Sequence, residues 1–197
     1  MNANFNSPLL DSAVDELAKL PGIGRKTALR LALHLLRREE QTALDLGNAI
    51  IKMRSEIRYC SRCHNISEQP LCPICSSSRR DQKTICVVEN VKDVITVEST
   101  GQHHGLYHVV GPSDIEIDSL VSRVRDEQPS EIILALSPTM EGDTTSYYIF
   151  RRLESLPVKI TMLARGLSLG GELDYTDELT LGRSIVNRIP FAGTADK

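Results

Sequence analysis

The sequence has no tryptophan, no apolar run of the ~18 to 20 residues that a membrane span requires, and no surplus of basic charge. Its first ten residues, MNANFNSPLL, contain no basic region leading into a long apolar one, which points to a soluble, cytoplasmic protein. With a net charge of −3 and a pI near 6.0, the molecule offers nucleic acid no bulk electropositive field, so any DNA binding has to come from local patches. A G-x-x-x-x-G-K-[ST] loop is missing too, which leaves ATP binding of that kind without support. The remaining usage, 41% hydrophobic and 25% charged, is ordinary for a globular chain and confines expected disorder to the ends.

Cysteine, by contrast, is concentrated. Four of the five cysteines fall in YCSRCHNISEQPLCPIC (59–75), as the C-x2-C knuckles Cys60/Cys63 and Cys72/Cys75 with eight residues between them. In a reducing compartment disulfides are rare, and two such knuckles can present four thiolates tetrahedrally, the geometry that Zn2+ accepts. A closed four-thiolate shell leaves no position for water, so the expected metal is structural rather than catalytic. The competing reading is a redox C-x-x-C. His64 is expected to be a surface residue, since the shell is already full, and Cys86, inside TICVV (84–88), an ordinary buried one.

Before the cysteines, Leu9, Leu10, Val14, Leu17 and Leu20 recur at helical spacing up to the turn PGIG (21–24), after which Ala28, Leu31, Ala32, Leu35 and Leu36 form a second apolar stripe. The pattern predicts a helical hairpin, followed by a third helix over 43–53. The charged run RRDQK (79–83) reads as a linker or a solvated edge. From residue 84 the pattern changes to short apolar strands at 84–89, 106–110, 131–137 and 158–164, alternating with helices around 91–99, 118–128 and 143–156. This alternation predicts an α/β unit with a mostly parallel sheet flanked by helices. After the turn RGLSLGG (165–171), residues 177–189 read as a last helix.

Two groups of residues carry candidate chemistry. In PGIG, Gly22 and Gly24 let the backbone approach an external group and leave N–H donors free at a helix start, a natural phosphate site. Arg25, Lys26 and Arg30 follow, the last two on one helical face, and the stripe suits sequence-independent contact with DNA backbone. A plain turn with solvated basic residues accounts for the same pattern equally well. The second group is acidic: Glu89 ends the first strand while Glu141 and Asp143 follow the third, so all three could gather at the carboxyl edge of a parallel sheet and hold Mg2+. Helix capping at the start of 143–156 is the alternative use for Glu141 and Asp143.

These parts, in this order, resemble the bacterial RecR family of recombination mediators over nearly the whole chain: LPGIGRKTALRLALHLL, the four-cysteine clip, CVVENVKDVITVESTGQHHGLYHVVG, SPTMEGDTTSYY and ARGLSLGGELDYTDELTLGR. The resemblance implies a helix-hairpin-helix domain over 1–56, a four-cysteine zinc finger over 57–83, a Toprim domain over 84–165 and a C-terminal segment for subunit packing over 166–197. It further implies a bacterial, nucleoid-associated and non-enzymatic mediator of DNA repair. Homodimers would pair into ring-like homotetramers that work with RecO and RecF to place RecA on gapped DNA coated with single-strand-binding protein. Carried over by position, Glu89 matches the Toprim glutamate and Glu141 with Asp143 an Asp-x-Asp pair, a patch associated in the family with RecO contact. Lys26 and Arg30 match basic positions that face DNA. Family members carry a longer loop after GLYHV-x-G than the VVGPSD (109–114) found here. The alternative is a Mg2+-dependent Toprim nuclease or primase-like enzyme using Glu89, Glu141 and Asp143; a protein-interaction scaffold whose hairpin serves only dimerisation is the third.

Overall fold

The computed structural model describes residues 7–111, 114–167, 170 and 172–188, arranged as two compact units, 1–57 and 58–197. Pro112 and Ser113 of the short loop, Ser168, Leu169 and Gly171 of the RGLSLGG turn and the expected helix end at Ile189 lie outside the described residues.

The first unit is three helices, α1 (Pro8–Ala18), α2 (Arg25–Leu36) and α3 (Glu40–Glu56). α1 starts with proline at its first position and with the Ser7 hydroxyl accepting from the Leu10 N–H at 3.3 Å, which satisfies a donor that the helix itself cannot. Between α1 and α2 the Ile23 N–H closes on the Leu20 carbonyl at 3.1 Å with Gly22 at φ +78°, a turn with Pro21 then glycine that a side chain at position 22 would strain. Val14 of α1 packs against Ala28 and Ala32 of α2, whose small side chains, one turn apart, let the two helices approach closely. α3 has no buried residue and exposes Leu44, Leu46, Ile50, Ile51 and Met53.

The second unit opens with a two-residue hairpin, β1 (Arg58–Tyr59) and β2 (Ile66–Ser67), and one helical turn, α4 (Pro73–Ser76), which together carry the cysteines. Then follow β3 (Thr84–Val88), α5 (Val91–Ser99), β4 (Leu106–Val109), α6 (Asp114–Glu127), β5 (Glu131–Leu134), α7 (Met140–Leu153) and β6 (Lys159–Met162), and after them a 3-10 turn (Leu173–Tyr175) and α8 (Glu178–Val186). The four longer strands form one parallel sheet in the order β4-β3-β5-β6. Alternation along β3 sorts its side chains: Ile85 and Val87 join Leu120, Val124, Ile149 and Leu153 of α6 and α7, whereas Cys86 and Val88 meet Val94 of α5 and Tyr107. Burial pushes the Cys86 thiol up to about 12, so it stays a neutral core side chain.

Several boundaries differ from the sequence expectation. α7 begins at Met140 rather than 143 because Thr139 is the cap, accepting from the Gly142 N–H at 3.1 Å; Glu141 and Asp143 therefore lie inside the first turn and do not cap it. α6 begins at Asp114 rather than 118. RRDQK is solvated as expected at Arg79, Asp81, Gln82 and Lys83, with Arg80 half-buried, but it is not a loose linker. Arg80 binds the Glu98 carboxylate and the His103 carbonyl, the Asp81 N–H reaches the His104 carbonyl at 2.9 Å, and Asp81 accepts from the Lys83 N–H and the Thr84 hydroxyl. These bonds knit the end of the cysteine segment to the sheet.

His108 of β4 is fully buried; its Nε2–H donates to the Glu116 carbonyl at 2.9 Å, and Nδ1 has no partner. Burial holds its pKa down at about 3, against about 6.5 in an unfolded chain. Below pH 6.5 the unfolded chain therefore takes a proton that the folded one refuses, and stability falls by about 1.4 kcal/mol per pH unit until the folded group titrates. In urea titrations between pH 7 and 5 with zinc in excess, His108→Gln should flatten this acid-side loss; an unchanged slope would place the proton uptake elsewhere.

Candidate functional site

The four cysteines are buried, unbridged and clustered, with all four Sγ atoms within 4.8 Å of one another and Cys63 Sγ to Cys72 Sγ at 3.6 Å. Sulfurs about 2.3 Å from a tetrahedral zinc stand about 3.8 Å apart, so the cluster fits that ion. The N–H groups of Cys72 and Cys75 point at the sulfurs of Cys60 and Cys72 at 3.3 and 3.4 Å, stabilising negative charge there. Without a cation the thiols cannot all ionise: hydrogen bonds with Cys63 and then Cys75 lower Cys72, whereas those with Cys72 and then Cys75 raise Cys63. Among the described residues no other group of three or more His, Cys, Asp or Glu side chains comes close enough to share an ion.

The knuckle between the first two cysteines is also the contact with the sheet. Arg62 makes two bonds to the Glu127 carboxylate, 2.8 and 2.9 Å, and a third to the Cys75 carbonyl. The Cys63 carbonyl accepts from the Val109 N–H of the edge strand β4 at 2.9 Å, so the clip covers that edge. His64 is not the surface residue expected. It adopts φ +60°, is half-buried, and its Nε2 shares a hydrogen bond with the Ser119 hydroxyl at 2.7 Å, with its ring edge-on to His108. A backbone conformation that favours glycine is offset here by a bond to α6.

In the first unit, Gly24 is the cap of α2 and supplies no side-chain bond, leaving first-turn N–H groups free. Lys26 and Arg30 are exposed and line an open groove of about 480 Å³ with Thr27, Leu29, Leu33, His34 and Arg37. Arg25 is used differently: it binds Asp15 and lies 3.4 Å from Asp11, tying α2 to α1. The ridge thus loses Arg25 and gains His34 and Arg37. The second pair was legible in the sequence, since 26, 30, 34 and 37 follow one helical face.

The acidic residues reach the expected edge but not one point. β3 lies between β4 and β5, so the chain switches direction across the sheet beside the carboxyl end of β3, where open α/β sheets place their sites. Glu89, Gly111, Ser137, Thr139, Glu141 and Gly142 line a notch of about 420 Å³ there. Both Glu89 oxygens are taken by Ser137, one by its N–H and one by its hydroxyl, each at 2.8 Å. Gly142 permits this closeness, because a Cβ at that position would lie 2.0 Å from the Ser137 carbonyl oxygen and 3.2 Å from Glu89 Oε1. Asp143, two residues after Glu141 and so on another side of the helix, binds Arg165 and lies 3.8 Å from Arg183. Arg165 holds the Asp143 carboxyl below the usual carboxylate range. No local pattern announces either arginine as its partner.

Comparison with known sequences matches each of these parts. Residues 10–54 match the helix-hairpin-helix of RecR, 57–77 its four-cysteine zinc finger domain, 83–164 a Toprim domain and 166–189 the RecR C-terminal part. The Recombination protein RecR of Bacteroides thetaiotaomicron is 55% identical over 204 residues, covering 98% of this chain and all of the relative. The chain belongs to the RecR family. RecR proteins of Phocaeicola vulgatus and Cytophaga hutchinsonii are 55% and 50% identical over 99% and 98% of the chain. These alignments exceed the 197 residues of this chain, so the relatives carry residues that it lacks. The four cysteines are accordingly the ligands of a structural zinc finger, and among the described residues no helix is long and apolar enough to cross a membrane.

The finger has almost no core beyond its sulfurs, so the metal should govern its folding and, through Arg62, Cys63 and His64, the order of β4 and α6. Complete chelation, checked by metal analysis, should raise amide exchange over 58–78 and then over 106–127. Exchange confined to the finger would show that the sheet edge stands without it.

Proposed function

We propose that the chain is a non-enzymatic DNA-repair and recombination mediator, a ring-like clamp that works with RecO and RecF to load RecA on gapped DNA coated with single-strand-binding protein. The observation that carries this reading is the basic ridge on α2 beside uncapped helix N–H groups, in a chain whose net charge is negative. Lys26 and Arg30 are the proposed phosphate contacts, with Gly22 and Gly24 shaping the approach, Arg37 extending the ridge and Arg25 holding it in place. One such ridge binds weakly. An assembly from homodimer to homotetramer gathers several, and the counterions released together strengthen the hold. The exposed apolar side chains of α3 and of Leu179, Ile185 and Val186 on α8 support such self-association.

At the acidic edge, Glu141 is the proposed RecO contact. It lines the notch, and its carboxylate makes no hydrogen bond or ion pair with the described residues, whereas Glu89 is taken up by Ser137 and Asp143 by two arginines. The same division weakens the case for a Mg2+-dependent nuclease or primase, which needs carboxylates converging on one ion. The proposed location is the bacterial cytoplasm, at the nucleoid.

A gapped, end-labelled duplex incubated with protein and Mg2+ should give a retarded band on a native gel and intact strands on a denaturing one; cut or extended strands would overturn the reading. Replacing Lys26 and Arg30 together by alanine should weaken DNA binding and reduce the slope of log K against log salt by about 2 for each ridge engaged. An unchanged slope in anisotropy titrations would remove these residues from the interface. Glu141→Ala should leave DNA affinity alone and weaken RecO association in calorimetry; full RecO affinity would exclude that contact.

A further inference from the structure

We infer that His34 is a conditional phosphate contact: once protonated it adds a cation to the ridge of Lys26, Arg30 and Arg37, so that the grip on DNA backbone tightens as pH falls. This rests on the ridge being the DNA interface proposed above. Positions 26, 30, 34 and 37 fall within about 80° of one another around the axis of α2 and, at about 1.5 Å per residue, span about 16 Å of its length. Among the described residues none of the four side chains has a hydrogen bond or ion pair, in contrast to Arg25. His34 is exposed and lines the same groove as the three cations, so a phosphate backbone lying along the stripe from Arg30 to Arg37 passes the imidazole.

The two ends of α2 treat an anion differently. At its start, first-turn N–H groups lie open behind the Gly24 cap and carry the positive end of the helix dipole, close to Lys26. His34 lies in the last turn, where the outward carbonyls repel phosphate and favour a cation. Anion binding along the second half of the ridge therefore depends on side-chain charge, supplied by Arg37 at every pH and by His34 when protonated. No residue of α1 or α3 lines the groove, so the charged groups facing His34 are Lys26, Arg30 and Arg37. The carboxylates of the neighbouring helices are engaged elsewhere. Asp11 and Asp15 of α1 meet Arg25, and Glu16 meets Lys19. On α3, Asp45 accepts from Gln41, Glu56 lies 3.9 Å from Lys52, and Glu40 borders a separate apolar cavity with Arg38. No carboxylate in the groove competes with phosphate for the imidazole. Histidine is the side chain whose charge ordinarily changes between about pH 5 and 8. A phosphate beside it favours the charged form, so DNA binding takes up a proton; the added affinity is present at low pH and lost as pH rises.

The test compares the full zinc-loaded chain with His34→Gln and His34→Lys in anisotropy titrations on a labelled gapped duplex, over a range of salt, at about pH 8 and about pH 6. At the lower pH the unaltered protein should bind roughly three- to tenfold tighter than His34→Gln, with a slope of log K against log salt steeper by about 1 for each ridge engaged. At the higher pH the two should converge. His34→Lys, which carries its charge throughout, should keep the tighter binding and the steeper slope at both. Any loss of zinc or of assembly at low pH weakens all three proteins alike and leaves the differences between them intact. His34→Gln matching the unaltered chain in affinity and slope at the lower pH would overturn the inference, as would His34→Lys binding no tighter than His34→Gln at the higher one. Failure of the underlying reading looks different: replacing Lys26 and Arg30 by alanine would then leave affinity and slope unchanged. Weakened binding by that double variant, with His34→Gln indistinguishable from the unaltered chain, would strike His34 alone.

Discussion

Four sulfurs held within a few ångströms of one another repel as soon as they ionise, and the finger around them has too little apolar surface to oppose that repulsion. A tetrahedral cation resolves the conflict, and in doing so it fixes three consecutive residues, Arg62, Cys63 and His64, in the one arrangement that meets the sheet. Arg62 finds Glu127, the Cys63 carbonyl completes the open edge of β4, and His64 accepts a strained backbone in return for Ser119. The knuckle that binds the metal is therefore also the brace for α6 and β4.

Charge is organised by a similar economy. The chain is acidic overall, yet its surface is divided by which groups are already paired. Arg25 is neutralised against α1 while Lys26 and Arg30, on the same helix, remain open. At the opposite extreme of charge, Glu89 is consumed in fastening the end of β5 and Asp143 in receiving two arginines, which leaves Glu141 as the carboxylate that faces outward. Two of the three carboxylates that the sequence places at this edge thus act as fasteners. Gly142 is the residue that makes this possible, since any side chain would push α7 away from Ser137.

Much of this architecture is local enough to be read along the chain. The two helical stripes around PGIG, the paired C-x2-C knuckles and the alternation of short strands with helices after residue 84 each depend on spacing within about ten residues, and each is present where the spacing places it. Edges were harder. α6 starts four residues early and α7 three, because Thr139 outcompetes Asp143 as a cap once the preceding turn is in place. RRDQK is mostly solvated, and what its local pattern does not announce are the distant groups that fasten it, Glu98 for Arg80 and the His104 carbonyl for the Asp81 N–H.

Element types, metal ligands and family were all legible in the order of residues, because periodicity, thiolate spacing and motif order are properties of short segments. Which charged groups stay free was settled only by folding. That outcome depends on pairs brought together from far apart, Arg25 with Asp15, Arg165 with Asp143 across 22 residues, Ser137 with Glu89 across 48, and Arg62 with Glu127 across 65. A charge is available to a partner only after its own fold has declined to use it, and that choice is made by distance in space, which no local pattern encodes.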